Sequence, residues 1–341
     1  MRGSNPFYLR RGMLAGTWLG VAAALGVPRA ALAQPDGWPT QPDGWPTQPV
    51  RLVVNFPPGS SPDVLARAVS LPLQQAIGQP VIVENRAGAT GIIGAELVVK
   101  APADGYTLLM TAGNTITTSP LIYPKIPYDA AKDLVPVAAA ARIVLFLVVR
   151  PELPVKNVQE FLAYLKANPG KLSYGSAGNG SGLHLAGEML KSQAGVYAVH
   201  IPYRGASLAL QDLLAGQLDF YFDPGIALSH VRAGKLRMLA VAVPTRSSLF
   251  PDIPTLNESG LKGFDAGTTH GFYAPRNTPP EVVARLNREI NRILTLPNVR
   301  SQIGMIGAEP TPLTPSQFAA QMSDDSQRFA AIIKEHQIRA D

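Results

Sequence analysis

The sequence runs to 341 residues, 46% hydrophobic and 16% charged, which is chain enough for about two folded domains and too apolar for extended disorder. It contains no cysteine, which excludes a disulfide framework, a thiolate metal site, a cysteine nucleophile and the lipid-bearing cysteine of a lipoprotein. Four basic residues (Arg2, Arg10, Arg11 and Arg29) and no acidic one precede Gln34, so the formal net charge of +6 belongs largely to the N-terminus; beyond it no basic run occurs and no nucleic-acid partner is expected.

Residues 1–33 read as an export signal. Arg2, Arg10 and Arg11 precede an apolar run from Met13 to Val27, and Ala31-Leu32-Ala33 is a small-x-small site, so cleavage after Ala33 and a periplasmic location are expected. The run is shorter than the roughly 20 residues that span a bilayer. Arg10-Arg11-Gly12-Met13-Leu14 fits a twin-arginine signal as well as an ordinary one. Residues 34–49 carry the heptad QPDGWPT twice and the start of a third copy. Two prolines and a glycine per unit predict a flexible or extended leader, most simply a duplication without function, with a docking epitope through Trp38 and Trp45 as the minor reading.

The folded part begins with an apolar strand at 51–56, a loop Pro57-Pro58-Gly59-Ser60-Ser61-Pro62-Asp63, and a helix at 64–77. A strand at 80–84, a helix at 92–100 and a strand at 106–111 follow, the last ending in the small polar loop 112–115 with Asn114 and Thr115. Strands are expected across 135–149. The alternation then resumes: helix 158–167, strand 172–174, a glycine and serine loop, helix 183–193, strand 199–202, helix 208–214, strand 218–223, helix 226–232 and strand 236–243. A strand at 268–274 and amphipathic helices at 280–296 and 316–336 close the chain. Helices alternating with short apolar strands predict an α/β protein of two blocks, each with a parallel sheet wrapped by crossovers.

The loop Gly175-Ser176-Ala177-Gly178-Asn179-Gly180-Ser181-Gly182 runs from a strand into a helix start, and 57–63 does the same in other letters. A helix start leaves its first N–H groups unpartnered and carries about half a positive charge, so each loop suits a carboxylate or phosphate. One such site per block would make a clamp for a molecule with two separated acidic ends. Tyr203 and Asp223 end strands of the second block and reach the same crevice; Asp223 would serve an amino group, a water or a hydroxyl, or simply cap a loop. Catalytic templates fail. No Walker loop occurs, Leu183 stands at the sixth place of a G-x-G-x-x-G reading, Ser181 lacks the glycine of a nucleophile elbow, and no H-E-x-x-H or clustered ligand set is present, so neither cofactor nor metal is expected. The one enzymatic alternative is a hydrolase using Ser181 with His184 as base, for which no third orienting group is evident.

The phrases FPPGSSPDVLAR, QPVIVENRAGATGIIGAE, DGYTLLM, IPYDAAKDLVPVA, YGSAGNGSGLHLAGEML, VHIPYRGASLALQDLLAGQLDFYFD, AGKLRMLAV and IPTLNESGL, in this order, resemble the extracytoplasmic solute receptors of tripartite tricarboxylate transporters, the Bug (Bordetella uptake gene) family, from about residue 50 onward. The resemblance implies a two-domain type II periplasmic-binding fold (Venus flytrap) with two chain crossovers, 50–143 plus 269–341 forming one domain and 144–268 the other. It implies a monomeric, non-enzymatic receptor that binds a small carboxylate (dicarboxylate, tricarboxylate or a related organic or amino acid) and delivers it to membrane permease subunits; a sensor for a membrane kinase is the variant reading. The ligand-binding set expected is Phe56, Gly59, Ser60, Ser61, Asp63, Asn114, Thr115, Ser176, Asn179, Gly180, Ser181, His184, Tyr203, Asp223 and His270. Ser60, Pro62, Phe222-Asp223-Pro224 and Thr269-His270 depart from the family's usual phrases, all at predicted cleft edges, where they bear on the identity of the ligand.

Overall fold

A computed structural model describes residues 44–335 and 338, except 124 and 248. The expected export signal, its cleavage site, the first heptad copy with Trp38 and the expected helix end at His336 lie outside the described residues.

Two sheets form the framework. The first has the order β11-β4-β10-β3-β1-β2, with β1 at Val50–Val54, β2 at Val81–Asn85, β3 at Thr107–Thr111, β4 at Leu134–Ile143, β10 at Thr268–Pro275 and β11 at Glu309–Pro310. The second has the order β7-β6-β8-β5-β9, with β5 at Phe146–Val149, β6 at Ser173–Ser176, β7 at Val199–Pro202, β8 at Phe220–Asp223 and β9 at Arg237–Val241. β5 is apolar along its length and β1 is apolar except for the part-exposed Arg51, because both faces are covered, and Leu52, Val53, Val54, Phe146 and Val148 are all buried. Each such side chain contributes roughly 1.5–3 kcal/mol by leaving water.

The expectation of parallel sheets is corrected in part. β1 pairs parallel with β2 and β3, and β6 with β7 and β8. β10 runs antiparallel to β3 and β4, and β5 antiparallel to β8 and β9. A parallel neighbour needs a crossover on its own sheet. β5 and β10 instead arrive from the other sheet, β5 across Val144-Leu145 and β10 from β9, and insert against the grain. The predicted run 135–149 is therefore two strands, divided between the sheets.

Twelve helices cover these sheets among the described residues: α1 (Ser61–Ile77), α2 (Ile92–Val99), α3 (Gly113–Thr117), α4 (Ser119–Ile122), α5 (Ala130–Asp133), α6 (Val158–Ala167), α7 (Gly182–Ala194), α8 (Ala206–Leu214), α9 (Leu228–Arg232), α10 (Pro280–Ile293), α11 (Pro297–Gly304) and α12 (Pro315–Glu335). The polar loop expected at 112–115 is mostly α3, a turn tightened by Thr117 Oγ1 and Thr118 Oγ1 donating to the carbonyls of Gly113 and Asn114. On α10 the predicted stripe Val282, Val283, Leu286, Ile290 and Ile293 is buried, and Asn287 Nδ2 donates to the carbonyls of Val137 and Leu313, both at 2.8 Å.

The described part of the second heptad copy, residues 44–47, is not a free leader. Trp45 packs on Tyr106, its ring centroid 6.0 Å away; Arg285 stacks over the indole and donates to the Trp45 carbonyl, and Thr47 N–H donates to Tyr106 Oη at 3.0 Å. A large apolar ring next to an aromatic and a guanidinium gains more by docking than by staying in water. The expected flexible or extended leader is corrected at Trp45, and the minor reading of that ring as a docking epitope loses its exposed aromatic.

Candidate functional site

The loops that leave β1, β3, β6 and β8, together with the start of β10, converge between the two sheets on a cavity of about 30 Å³, room for about two water-sized groups. Its polar wall consists of Ser60, Ser61, Asn114, Ser181, Thr268 and His270; its apolar wall includes Phe56, Ile143, Leu145, Ala177, Leu183, Ala206 and Pro224. Among the described residues no Lys, Arg, Asp or Glu lines it. Two helix starts do: Ser60, Ser61 and Pro62 at α1, and Ser181, Gly182 and Leu183 at α7. The cavity thus offers an anion two macrodipole termini and no counter-charge.

Six of the expected residues line the cavity: Phe56, Ser60, Ser61, Asn114, Ser181 and His270. The remaining nine surround it at one remove. Asp63 braces the first loop from behind, accepting from Gly59 N–H at 2.9 Å, Asn85 Nδ2 at 2.8 Å and Arg67 Nε at 3.0 Å. Burial alone would raise its carboxyl, but the Arg67 guanidinium and the amide donors outweigh burial and hold it below its ordinary value. Thr115 turns to the Thr90 carbonyl at 3.4 Å. Tyr203 Oη donates to Asp212 Oδ2 at 2.6 Å. Asp223 accepts from the N–H groups of Gly225 and Ala227 at 2.9 and 3.0 Å, so its carboxyl caps the loop after β8 rather than entering the cavity.

The second loop uses its polar groups on itself and on the opposite lobe. Ser176 Oγ donates to the Gly178 carbonyl, accepts from Gly178 N–H, both at 3.1 Å, and lies 2.6 Å from His200 Nε2. Gly180 N–H donates to His184 Nδ1 at 3.0 Å, and His184 stacks on His200 with ring centroids 4.0 Å apart. Burial, with His184 and Lys191 nearby, pushes His200 down to about 3, so this ring is neutral. Ser181 Oγ accepts from the His184 backbone N–H at 3.3 Å, a helix cap and not the nucleophile–base contact weighed in the sequence.

Two successive carbonyls of this loop receive three hydroxyls from the first lobe. Tyr123 Oη and Thr90 Oγ1 donate to the Asn179 carbonyl at 2.7 and 3.1 Å, and Thr118 Oγ1 shares its one proton between the Gly180 and Asn114 carbonyls, each 3.0 Å away. These bonds latch the lobes over the cavity. Tyr123→Phe removes one of them, and calorimetry should show affinity for the ligand falling roughly three- to tenfold with the enthalpy less favourable. The three donors, His200 and Thr268 were not singled out in the sequence. Isolated hydroxyls carry no motif, and only the alternation of Val199, His200 and Ile201 along an edge strand pointed one side chain inward.

Asp223 gives the site a pH signature. Complete burial raises its carboxyl to about 7, against the opposing pull of the backbone N–H groups. The folded state therefore binds the proton more tightly than the unfolded chain, whose carboxyl titrates near 4. Its contribution to stability is full below about pH 4 and is lost as pH rises through 7. Melting temperatures measured from pH 4 to 8 should fall more steeply for the wild type than for Asp223→Asn.

Among the described residues no helix is long and apolar enough to cross a membrane. The chain is 38% identical over 289 residues to the protein BugT of Bordetella pertussis, covering 84% of this chain and 88% of that one. The periplasmic binding protein BugD superposes with a TM-score of 0.82 at 32% identity, covering 86% of this chain and 99% of that one. An R. palustris protein solved with adipate gives 0.84 at 33% identity, covering 87% and 99%, and MatC of Rhodopseudomonas palustris with bound malate gives 0.80 at 31%, covering 85% and 100%. The model of the tripartite tricarboxylate transporter family receptor, TctC, matches residues 65–338. With two sheets joined by two crossovers, a cavity between them and this match over most of its length, the chain belongs to the TctC (Bug) receptor family, a family of substrate-binding receptors and not of enzymes.

Proposed function

We propose that this protein is an exported, periplasmic receptor that captures a small carboxylate between its lobes and hands it to the membrane permease of a tripartite tricarboxylate transporter. The observation that carries the reading is the cavity wall: two helix starts from opposite lobes meet there without a charged side chain. Such a wall favours an anion over a cation and over a sugar, which would need paired donors and acceptors. The adipate and malate complexes of relatives at 33% and 31% identity support a dicarboxylate or a related organic acid. A dicarboxylate is larger than about two water-sized groups, so on this reading its binding is coupled to a movement of the lobes.

The lobes we assign are 50–143 with 269–341, and 144–268. Phe56, Ser60, Ser61, Asn114, Ser181 and His270 form the contact set; the other nine residues hold the loops or the closed form. The protein acts as a monomer.

A thermal-shift screen of carboxylic acids, amino acids, sugars and metal salts tests the proposal. Carboxylates should raise the melting temperature in a concentration-dependent way. A response to sugars or metals with none to any carboxylate would overturn it.

A further inference from the structure

His270 stands on β10 with only 3% of its surface exposed, and its ring forms part of the cavity wall. Its Nδ1 receives the N–H of Gly113, at the head of α3, at 3.4 Å. A nitrogen that accepts carries no proton, so the proton of a neutral ring sits on Nε2, which lies 3.0 Å from Ser61 Oγ. Burial pushes the imidazole down to about 3 and keeps it neutral. Ser61 therefore accepts from His270, and its own hydroxyl proton is left to point elsewhere.

The neighbouring residue gives that proton a purpose. Pro62 follows Ser61 in the first turn of α1, lines the same cavity and has no N–H, so this helix start presents one donor fewer than helix starts do in general. On the same wall, Asn114 Nδ2 is buried without a hydrogen-bond partner. A buried donor of this kind is costly unless something in the cavity accepts from it.

We propose that His270 is the positioning residue that fixes Ser61 as a hydrogen-bond donor to the ligand, replacing the N–H that Pro62 removes, so that with Asn114 this wall selects an unprotonated carboxylate and rejects the matching primary amide. The inference rests on the carboxylate-receptor reading and names the groups that discriminate. A carboxylate presents acceptors on both oxygens. An amide of the same shape would turn an NH2 group toward one of the two donors and lose that bond.

Two measurements test it. Nitrogen chemical shifts of the histidine rings, recorded on the ligand-free wild-type protein, should show His270 as the Nε2–H tautomer; the Nδ1–H tautomer overturns the inference without recourse to any variant. Calorimetry with malate and adipate, each against its diamide, supplies the second. The wild type should prefer acid over amide by about tenfold or more, and this ratio should collapse in both Ser61→Ala and His270→Phe. The double variant should lose no more than either single one, because both remove the same contact. His270→Gln, whose amide N–H can reach Ser61, should restore most of the preference. An unchanged ratio in Ser61→Ala and His270→Phe, or additive losses, overturns the inference even if affinity falls. Failure of the wild type to bind either acid would count against the receptor function itself, while the tautomer still decides how Ser61 is held.

Discussion

Gly225→Ala is expected to abolish ligand-driven closure while leaving both lobes folded. Gly225 follows β8 with φ at +94°, a region in which a side chain costs about 1–2 kcal/mol. A Cβ built there overlaps the carbonyl oxygen of Ile306 and lies 2.5 Å from its carbon. Ile306 sits between α11 and β11, on the side of the first sheet, so the overlap is between the lobes. A backbone carbonyl cannot rotate out of the way as a side-chain tip can. The closed arrangement should become less favourable by roughly 3 kcal/mol or more, which lowers affinity about a hundredfold or more. Calorimetry with malate and adipate, and small-angle scattering with and without the acid that binds, check both halves. Wild-type affinity together with wild-type compaction in the variant would sink the argument.

Gly113→Ala should act on the cavity from inside one lobe. Gly113 begins α3 where that helix lies against the start of β10, and an added Cβ would overlap Thr268 Oγ1 and come within 2.5 Å of the Thr269 carbonyl oxygen. The helix must lift off the strand, at a cost of about 1–3 kcal/mol in stability. Lifting it carries Asn114 away from the cavity and opens the Gly113–His270 hydrogen bond, so affinity should fall about tenfold or more besides. A thermal melt reads the first effect and calorimetry the second. The two glycine variants differ in kind: both should lower the melting temperature of the ligand-free protein, Gly225→Ala through its left-handed backbone and Gly113→Ala through the lifted helix, but only Gly225→Ala should block compaction.

Much of the framework was legible because burial imposes periods on a sequence. The stripe on α10 and the apolar runs Leu52–Val54 in β1 and Phe146–Val149 in β5 announce which faces are covered, and those faces are buried. Strand direction was not legible. Whether β10 inserts parallel or antiparallel depends on where the chain has been since β9, and nothing local records that journey. The short helices α3, α4 and α5 escaped notice because turns of four or five residues are held by packing and by threonine hydroxyls, not by a pattern long enough to have a period.

The site divides in the same way. The loops after β1 and β6 could be found because glycine and serine before a helix start mark exposed N–H groups. Which side chains then face the cavity could not be read, since Asp223 finds donors two and four residues on and Tyr203 a carboxylate nine residues on, partners close enough to win over a ligand. Asn179 was expected among the ligand contacts, whereas its backbone carbonyl accepts from Tyr123 Oη.

Ile143 ends β4, Leu145 precedes β5 and Thr268 begins β10, so residues at both passages between the sheets also form the cavity wall. A ligand held in this cavity would therefore press on the fulcrum of the jaws and not on their tips. Near a fulcrum a small change in spacing becomes a large displacement farther out, where Tyr123 and Thr118 meet the carbonyls of 179 and 180. On the function proposed above, a membrane partner that feels only the rims would tell a loaded receptor from an empty one without touching the cargo.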